Sequence, residues 1–424
     1  MTKIQTYADA ERYLLSTINE HVSRSQPYRL ERMVGFLAEL GDPQRRYPTV
    51  HIGGTSGKGS TCTLLANVLR AAGHRTGLHV KPHLQSMTER ACIDGVDISE
   101  DDFATTLVSM MPAIERAAAR GERPSYYETL LALAFRYFAD QKVDIAVIEV
   151  GLGGRLDGTN VLQPLVTAIT SIGYDHTDVL GDTLELIAAE KAGIAKPGVP
   201  MVANIADEAA RRVVEQTCAT IGAPWIDVRK EASSPYIQAI HLDGAFQRDN
   251  AKTAVAVLSA LPDAFRPSGH AIAQGFAMTQ IAGRMERFAT RPVTIFDIAH
   301  NEQKARALAS AVREIGAPRI RVVLSIAETK DAAEIVAALC EVAHEFYCTA
   351  FHPQPGRAPL SPELLASLVR ARGATAETIE DPLQALTMAR QRSGLDDLVL
   401  VTGSTLLVAT LRNAVRESEH ARSC

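Results

Sequence analysis

The sequence predicts an α/β protein of two domains, and three observations carry that prediction. The chain has 424 residues, more than a single hydrophobic core ordinarily organises. Short β-branched runs recur along it, each followed by a segment of helix length, which is the alternation of parallel strands with covering helices. The stretch "HIGGTSGKGSTC", His51 to Cys62, joins an apolar run to a helical-looking "TLLANVLRAAG". Strand, glycine-rich turn and helix in that order aim backbone N–H groups at one anion.

Taken in order, "TVHIGG", "RTGLHV", "VDIAVIEV", "PLVTAITSI" and "VPMVANI" read as the strands of a first sheet. "VTIFDIAH", "RIRVVLSIA", "EFYCTA" and "DLVLVTGS" read as those of a second. Both sheets are expected to be parallel and covered by helices. Between them, from "LDGAFQRDNAKTAVAVL" to "AGRMERF", helical periodicity dominates, and the boundary is placed near Gly283, giving domains 1–282 and 283–424.

Composition narrows the class. Hydrophobic residues make up 46% and charged ones 22%, and the formal net charge of −5 leaves no basic footprint for nucleic acid. No apolar run reaches membrane-spanning length, and the acidic, amphipathic start "MTKIQTYADAERYLL" is unlike a secretory signal. Six cysteines (Cys62, Cys92, Cys218, Cys340, Cys348 and Cys424) are scattered without the short pairings of a zinc or dithiol site. A cytoplasmic enzyme with reduced thiols, monomeric, is expected.

Several residues could carry chemistry. In the glycine-rich turn, the Lys58 ammonium would neutralise phosphate oxygens and the Ser60 hydroxyl would ligate Mg²⁺. The spacing departs from the common nucleotide loop, since Gly59 follows the lysine and the hydroxyl is delayed by one residue; an ordinary turn with an exposed lysine is the alternative. Glu149 ends an apolar strand just before Gly151, Gly153 and Gly154, at the sheet edge where α/β ligands bind, and could complete a magnesium site. It could equally be a solvated strand end. His176 follows another strand, and Lys191 lies in a helical stretch with Leu184, Ile187 and Ala188 on its apolar side. "VTIFDIAHN" sets Asp297, His300 and Asn301 at a strand end of the second sheet, where a carboxylate could grip ribose hydroxyls and the histidine could meet a substrate carboxylate or phosphate.

Together these segments resemble the Mur ligase superfamily and, within it, the folylpolyglutamate synthase and dihydrofolate synthase family. The carriers are "GTSGKGS" ending at Ser60, "KPHLQSMTERACIDG" from Lys81, "EVGLGGRLDGTN" from Glu149, "DHTDVLGDTLELIAAEKAGI" from Asp175, "AGRMERF", "DIAHN" and "VTGSTLLV". The resemblance implies an N-terminal P-loop-type ATPase domain and a smaller C-terminal Rossmann-like domain, with ATP between them. It accounts for the loop spacing, since the family's form is G-T-N-G-K-G-S. It implies magnesium ligands at Ser60, Glu149 and His176, with Lys58, His176 and Lys191 catalytic. Nucleotide contacts are implied at Thr55, Ser56, Gly57, Lys58, Gly59, Ser60, Gln247, Asn250, Arg284 and Asp297. Lys191 falls on a lysine that is carbamylated in family members. His300 and Ser404 match the region of the incoming amino acid, and Asp157 a residue that meets the pterin.

The implied reaction is ATP- and Mg²⁺-dependent joining of glutamate to a folate or dihydropteroate carboxylate through an acyl phosphate. A non-folate carboxylate acceptor is one alternative, and a non-catalytic nucleotide-binding relative another. The chain departs from the family at Lys81, where a serine near the magnesium is usual and where the residue would bear on acceptor or metal. It departs also at Ser56 for asparagine, at Met87 where an aromatic is common, and at Gly158 for alanine.

Overall fold

The computed structural model describes residues 4–18, 29–230, 234–288, 291–354 and 357–423, with side chains as far as residue 416. Cys424 and Met1 to Lys3 lie outside them, and the other five cysteines are free thiols. The chain forms two compact units. One takes the residues up to His241 together with Gln247–Thr279; the other takes Leu242–Phe246 together with the residues from Gln280 onward. Among the described residues no helix is long and apolar enough to cross a membrane.

The first unit is built on β1 (Thr49–Gly53), β2 (Thr76–His79), β3 (Cys92–Ile93), β4 (Val96–Asp97), β5 (Ile145–Glu149), β6 (Val166–Ile169), β7 (Met201–Ala203) and β8 (Trp225–Asp227). Their order across the sheet is β4-β3-β2-β5-β1-β6-β7-β8. Every residue of β1, β5 and β6 is buried, because helices cover both faces, and this is why those strands read as unbroken apolar runs. The register sets Ile52 opposite Glu149 and Gly53 opposite Ile169. The carboxyl ends of three neighbouring strands therefore meet at one point of the sheet edge.

The second unit carries β9 (Glu286–Phe288), β10 (Val293–Phe296), β11 (Ile320–Leu324), β12 (Glu345–Cys348), β13 (Thr375–Thr378) and β14 (Leu398–Thr402), in the order β13-β12-β11-β14-β10-β9. Its core packs Ile295, Val322, Leu324 and Leu400 against Leu308, Val312, Ile335 and Leu339 of the flanking helices.

The two sheets are mixed, which corrects the expectation of parallel sheets. β3 runs antiparallel to β2 and to β4, and β9 antiparallel to β10. The β3–β4 connection is Asp94-Gly95 with both φ values positive, 53° and 82°. That two-residue turn matches the twist of a hairpin, so the chain reverses instead of crossing over.

Helix Lys58–Ala71, which follows β1, buries Cys62, Leu64, Leu65, Val68 and Leu69. Helix Gly269–Ala277 lies so close to it that a Cβ on Gly275 would stand 2.5 Å from the Val68 Cα. Backbone cannot yield as a side-chain end can. Gly275→Ala should therefore destabilise the first unit by about 1–3 kcal/mol, as overpacked cores do. A thermal unfolding midpoint equal to that of the unaltered protein would contradict this packing.

Candidate active site

The glycine-rich loop leaves β1 and is clamped by the residues that follow β6. The Thr170 hydroxyl donates to the Ser56 carbonyl at 2.6 Å, and Ser171 Oγ accepts from the Ser56 N–H at 2.9 Å. Thr55 Oγ1 donates to the Gly173 carbonyl and accepts from the Gly173 N–H, at 3.1 and 3.0 Å. Gly54 and Gly57 have φ values of 136° and 84°, and neither has room for a side chain. A Cβ on Gly54 would fall 2.1 Å from Thr170 Oγ1, and one on Gly57 2.1 Å from Asn250 Oδ1. Asn250 is held in turn by its own Nδ2 donating to Gln247 Oε1 at 2.9 Å. Of the expected nucleotide contacts, Asn250 thus abuts the loop directly and Gln247 supports it.

Lys58 is the first residue of its helix, and its Nζ folds back onto the loop, donating to the Gly54 carbonyl at 2.9 Å and the Thr55 carbonyl at 3.3 Å. Lys191, on helix Leu184–Ala192, donates to the same Gly54 oxygen at 3.2 Å. Burial, reinforced by the neighbouring Lys58 charge, pushes the Lys191 amine down to about 7. Lys191 is therefore a buried lysine, not a solvated one.

Glu149 closes β5 with only 3% of its surface exposed. Its Oε2 accepts the Lys81 backbone N–H at 3.0 Å and would lie 3.3 Å from a Cβ on Gly59, so carboxylate, loop and Lys81 adjoin. Ser60 is buried next to them. The Lys81 ammonium is pushed down to about 8, by burial first and by Lys58 second. His176 sits in the left-handed region with φ 52°, just before the short helix Thr177–Leu180. Its side chain is 48% exposed, with Nε2 3.7 Å from Asp175 Oδ1.

Among the described residues, no three His, Cys, Asp or Glu side chains converge to hold a metal. The donors beside the loop are a carboxylate and a hydroxyl, both hard oxygen ligands. They suit magnesium, which keeps waters and phosphate oxygens for most of its octahedron and needs only one or two protein oxygens.

Asp157 is buried and takes four hydrogen bonds. Its Oδ1 accepts from the Thr159 N–H, the Thr159 hydroxyl and the Tyr127 hydroxyl at 2.9, 2.5 and 3.1 Å, and its Oδ2 accepts from the Leu152 N–H at 2.8 Å. His51 Nε2 meets the same Thr159 hydroxyl at 2.8 Å, and burial drops the His51 pKa to about 3, keeping it neutral. Arg90 is also buried, donating from Nε to His83 Nδ1 at 3.1 Å. Tyr127, Thr159, His51 and Arg90 escaped the sequence reading. Three of them lie inside quoted segments, His51 in "HIGGTSGKGSTC", Arg90 in "KPHLQSMTERACIDG" and Thr159 in "EVGLGGRLDGTN", whereas Tyr127 left no trace.

In the second unit, Asp297 follows β10 and Ser404 follows β14, at neighbouring strand ends. Asp297 accepts the Met285 and Ala299 N–H groups at 2.9 and 2.8 Å, and burial raises its pKa. Ser404 Oγ accepts from the Leu406 N–H at 3.2 Å, capping the last helix. His300 Nδ1 donates to the Ile298 carbonyl at 2.8 Å, while its Nε2 accepts from Lys304 Nζ at 3.2 Å. Burial and the charges of Lys304, Lys330 and Arg284 lower its pKa to about 3. Both ring nitrogens of His300 are occupied, and the cation it presents is Lys304.

Loop, helix and sheet edge define a P-loop-type α/β protein. Residues 52–241 match the Mur ligase middle domain, and residues 283–405 match the Mur ligase glutamate ligase domain. A dihydrofolate synthase/folylpolyglutamate synthase of Bacillus subtilis is 31% identical over 91% of this chain and 95% of its own length. One of Escherichia coli is 30% identical over 95% and 94%. Among solved structures, E. coli FolC in complex with DHPP and ADP superposes with a TM-score of 0.85 at 28% identity, covering 98% of this chain and 99% of that one. A bifunctional folylpolyglutamate synthase/dihydrofolate synthase with Mn, AMPPNP and L-glutamate bound gives 0.83 at 29% identity, covering 98% and 100%. The chain belongs to the Mur ligase family and, within it, to the folylpolyglutamate synthase and dihydrofolate synthase group.

Gly57→Ala tests the loop. The added methyl meets Asn250 Oδ1 and forces a left-handed alanine, which costs roughly 1–2 kcal/mol before the clash is counted. ATP affinity should fall at least tenfold in a calorimetric titration, while circular dichroism stays that of the unaltered protein. Unchanged affinity would separate the loop from nucleotide binding.

Proposed function

We propose that this protein is an ATP-dependent amide ligase joining the amine of glutamate to a carboxylate of a folate or dihydropteroate through an acyl phosphate. The observation that carries the reading is the meeting of Lys58, Ser60, Glu149 and Lys191 at one sheet edge of a chain that such synthases match from end to end. A carboxylate is a poor acyl donor because oxide is a poor leaving group. Phosphorylation by ATP supplies a leaving group, and glutamate then displaces it as the neutral amine.

The residues divide the work. Loop N–H groups and the start of helix Lys58–Ala71 face the phosphate chain, and the Lys58 ammonium, placed by two loop carbonyls, neutralises charge on the transferring phosphoryl group. Thr55, Ser56, Gly57, Gly59 and Asn250 shape that cradle. Ser60 and Glu149, with His176 from its loop, would hold Mg²⁺, which supplies Lewis-acid charge to the phosphate oxygens when bound. Asp297 and Arg284 take the nucleotide-contact roles that the family resemblance implies for them. His300, Lys304 and Ser404 receive the incoming amino acid, with Lys304 presenting the charge. Asp157 meets the acceptor's ring system.

Lys191 carries a carbamate in this reading. The reaction needs a neutral amine, and an amine held near 7 supplies one at neutral pH. The product is an anion beside Lys58, which removes the repulsion between two ammoniums on one carbonyl oxygen.

Incubation with ATP, Mg²⁺ and glutamate should give phosphate and a product heavier by one glutamyl residue with dihydropteroate or tetrahydrofolate. Products formed only from other carboxylates would reassign the acceptor. Lys58→Ala should lower that turnover about a hundred- to a thousand-fold, the scale of losing one charge-stabilising donor. Full ATP-dependent turnover by the variant would remove Lys58 from the mechanism. With ¹³C-bicarbonate, a carbamate resonance absent from Lys191→Ala should grow as pH rises through about 7 and fade below it, because protonation removes the nucleophile. Stability shares the sign. The unfolded chain binds more protons between about 7 and the ordinary lysine value of 10.5, so this group's contribution rises with pH across that window. A pH-independent resonance would contradict the lowered amine.

A further inference from the structure

Three lysines reach the phosphate loop from separate segments. Lys58 and Lys191 share the Gly54 carbonyl, and Lys81 is fixed by its backbone N–H on Glu149 Oε2. Among the described residues none of the three forms an ion pair. The charges that act on the Lys81 side chain include those of Lys58, Glu149, Asp157, Arg90 and Lys191. Asp157 already takes four hydrogen bonds from its own surroundings, which leaves Glu149 as the carboxylate open to a metal on this side of the loop.

Phosphoryl transfer to a carboxylate presses two anions together. Sites of this kind commonly meet the charge with two divalent ions, one on each side of the transferring group. Here the oxygens beside the loop, those of Glu149 and Ser60, suffice for one ion. The residue whose backbone N–H closes on Glu149 Oε2 is a lysine, and an ammonium on this side of Glu149 would repel a second ion placed beside it. We propose that Lys81 stands in for a second divalent ion, its ammonium binding a γ-phosphoryl oxygen and the attacking carboxylate, so that this enzyme works with a single magnesium. The proposal rests on the ATP-ligase reading. In the step it serves, a carboxylate oxygen bonds to the γ-phosphorus, and the bond from that phosphorus to the β,γ-bridging oxygen breaks with its electron pair leaving on ADP. No proton moves, and Lys81 stays an ammonium throughout.

The test counts metal and needs neither acceptor nor amine. Mn²⁺ bound per full chain in the presence of saturating AMPPNP is measured from the paramagnetic resonance of free Mn²⁺. The unaltered protein should bind one equivalent, Lys81→Arg one, and Lys81→Ser two, because the serine frees the space and adds an oxygen donor. If the serine variant does not fold, Lys81→Gln makes the same comparison. Two equivalents in the unaltered protein, or equal counts in the protein and its neutral variant, overturn the proposal while leaving the ligase reading in place. Failure of the unaltered protein to bind AMPPNP overturns the ligase reading and this inference with it.

Discussion

Two amines, the half-buried one of Lys58 and the buried one of Lys191, donate to one carbonyl oxygen, Gly54 O, and this is the constraint on which the rest of the first unit is arranged. Their nitrogens can be no more than about 6 Å apart, and at an effective dielectric near 20 two protonated amines at that distance repel by roughly 3 kcal/mol. Nothing in the loop relieves this, because its backbone groups are held by Thr55, Thr170 and Ser171 rather than by a carboxylate. Without a ligand the loop is rigid and electrostatically incomplete. An anion completes it at low reorganisation cost, which is what preorganised phosphate sites require.

Much of the fold was legible because its causes are local. Strands buried on both faces leave apolar runs, and β1, β2, β5, β6, β7, β10, β11, β12 and β14 all left one. The elements that were missed are short or lie at sheet edges: β3, β4, β8, β9 and β13. Two-residue strands such as β3 and β4 are too brief for an alternation to register, although the Asp94-Gly95 pair between them carries a hairpin signal. The antiparallel edges depend on which neighbour is available at the end of a sheet, and that is a tertiary matter.

Legibility of the site followed the same rule. Lys58, Ser60 and Glu149 stand beside glycines at strand ends, so the sequence marks their place directly. The burial of Lys191 and Lys81 is set by what packs over them, which no window of sequence contains. His300 is instructive in a different way. Its strand-end position suggested an imidazole turned toward substrate, yet the Ile298 carbonyl fixes its tautomer and the Lys304 ammonium occupies its lone pair. A histidine too buried to ionise serves as a fixed acceptor, and the charge moves one helical turn along to the lysine.

The crowded Oδ1 of Asp157 has a thermodynamic consequence of its own. Three of its four donors, the Thr159 N–H and hydroxyl and the Tyr127 hydroxyl, crowd onto Oδ1, while Oδ2 takes the Leu152 N–H, so a further donor at Oδ1 must displace one already there. Recognition there is an exchange, one donor for another, and the free energy of the new bond is nearly cancelled by that of the bond released. Such a position adds little to affinity and favours a newcomer that brings a donor of its own. Tyr127 is the donor most readily surrendered, its 3.1 Å bond being the longest of the four. Its phenol is then the group that a competing donor displaces first.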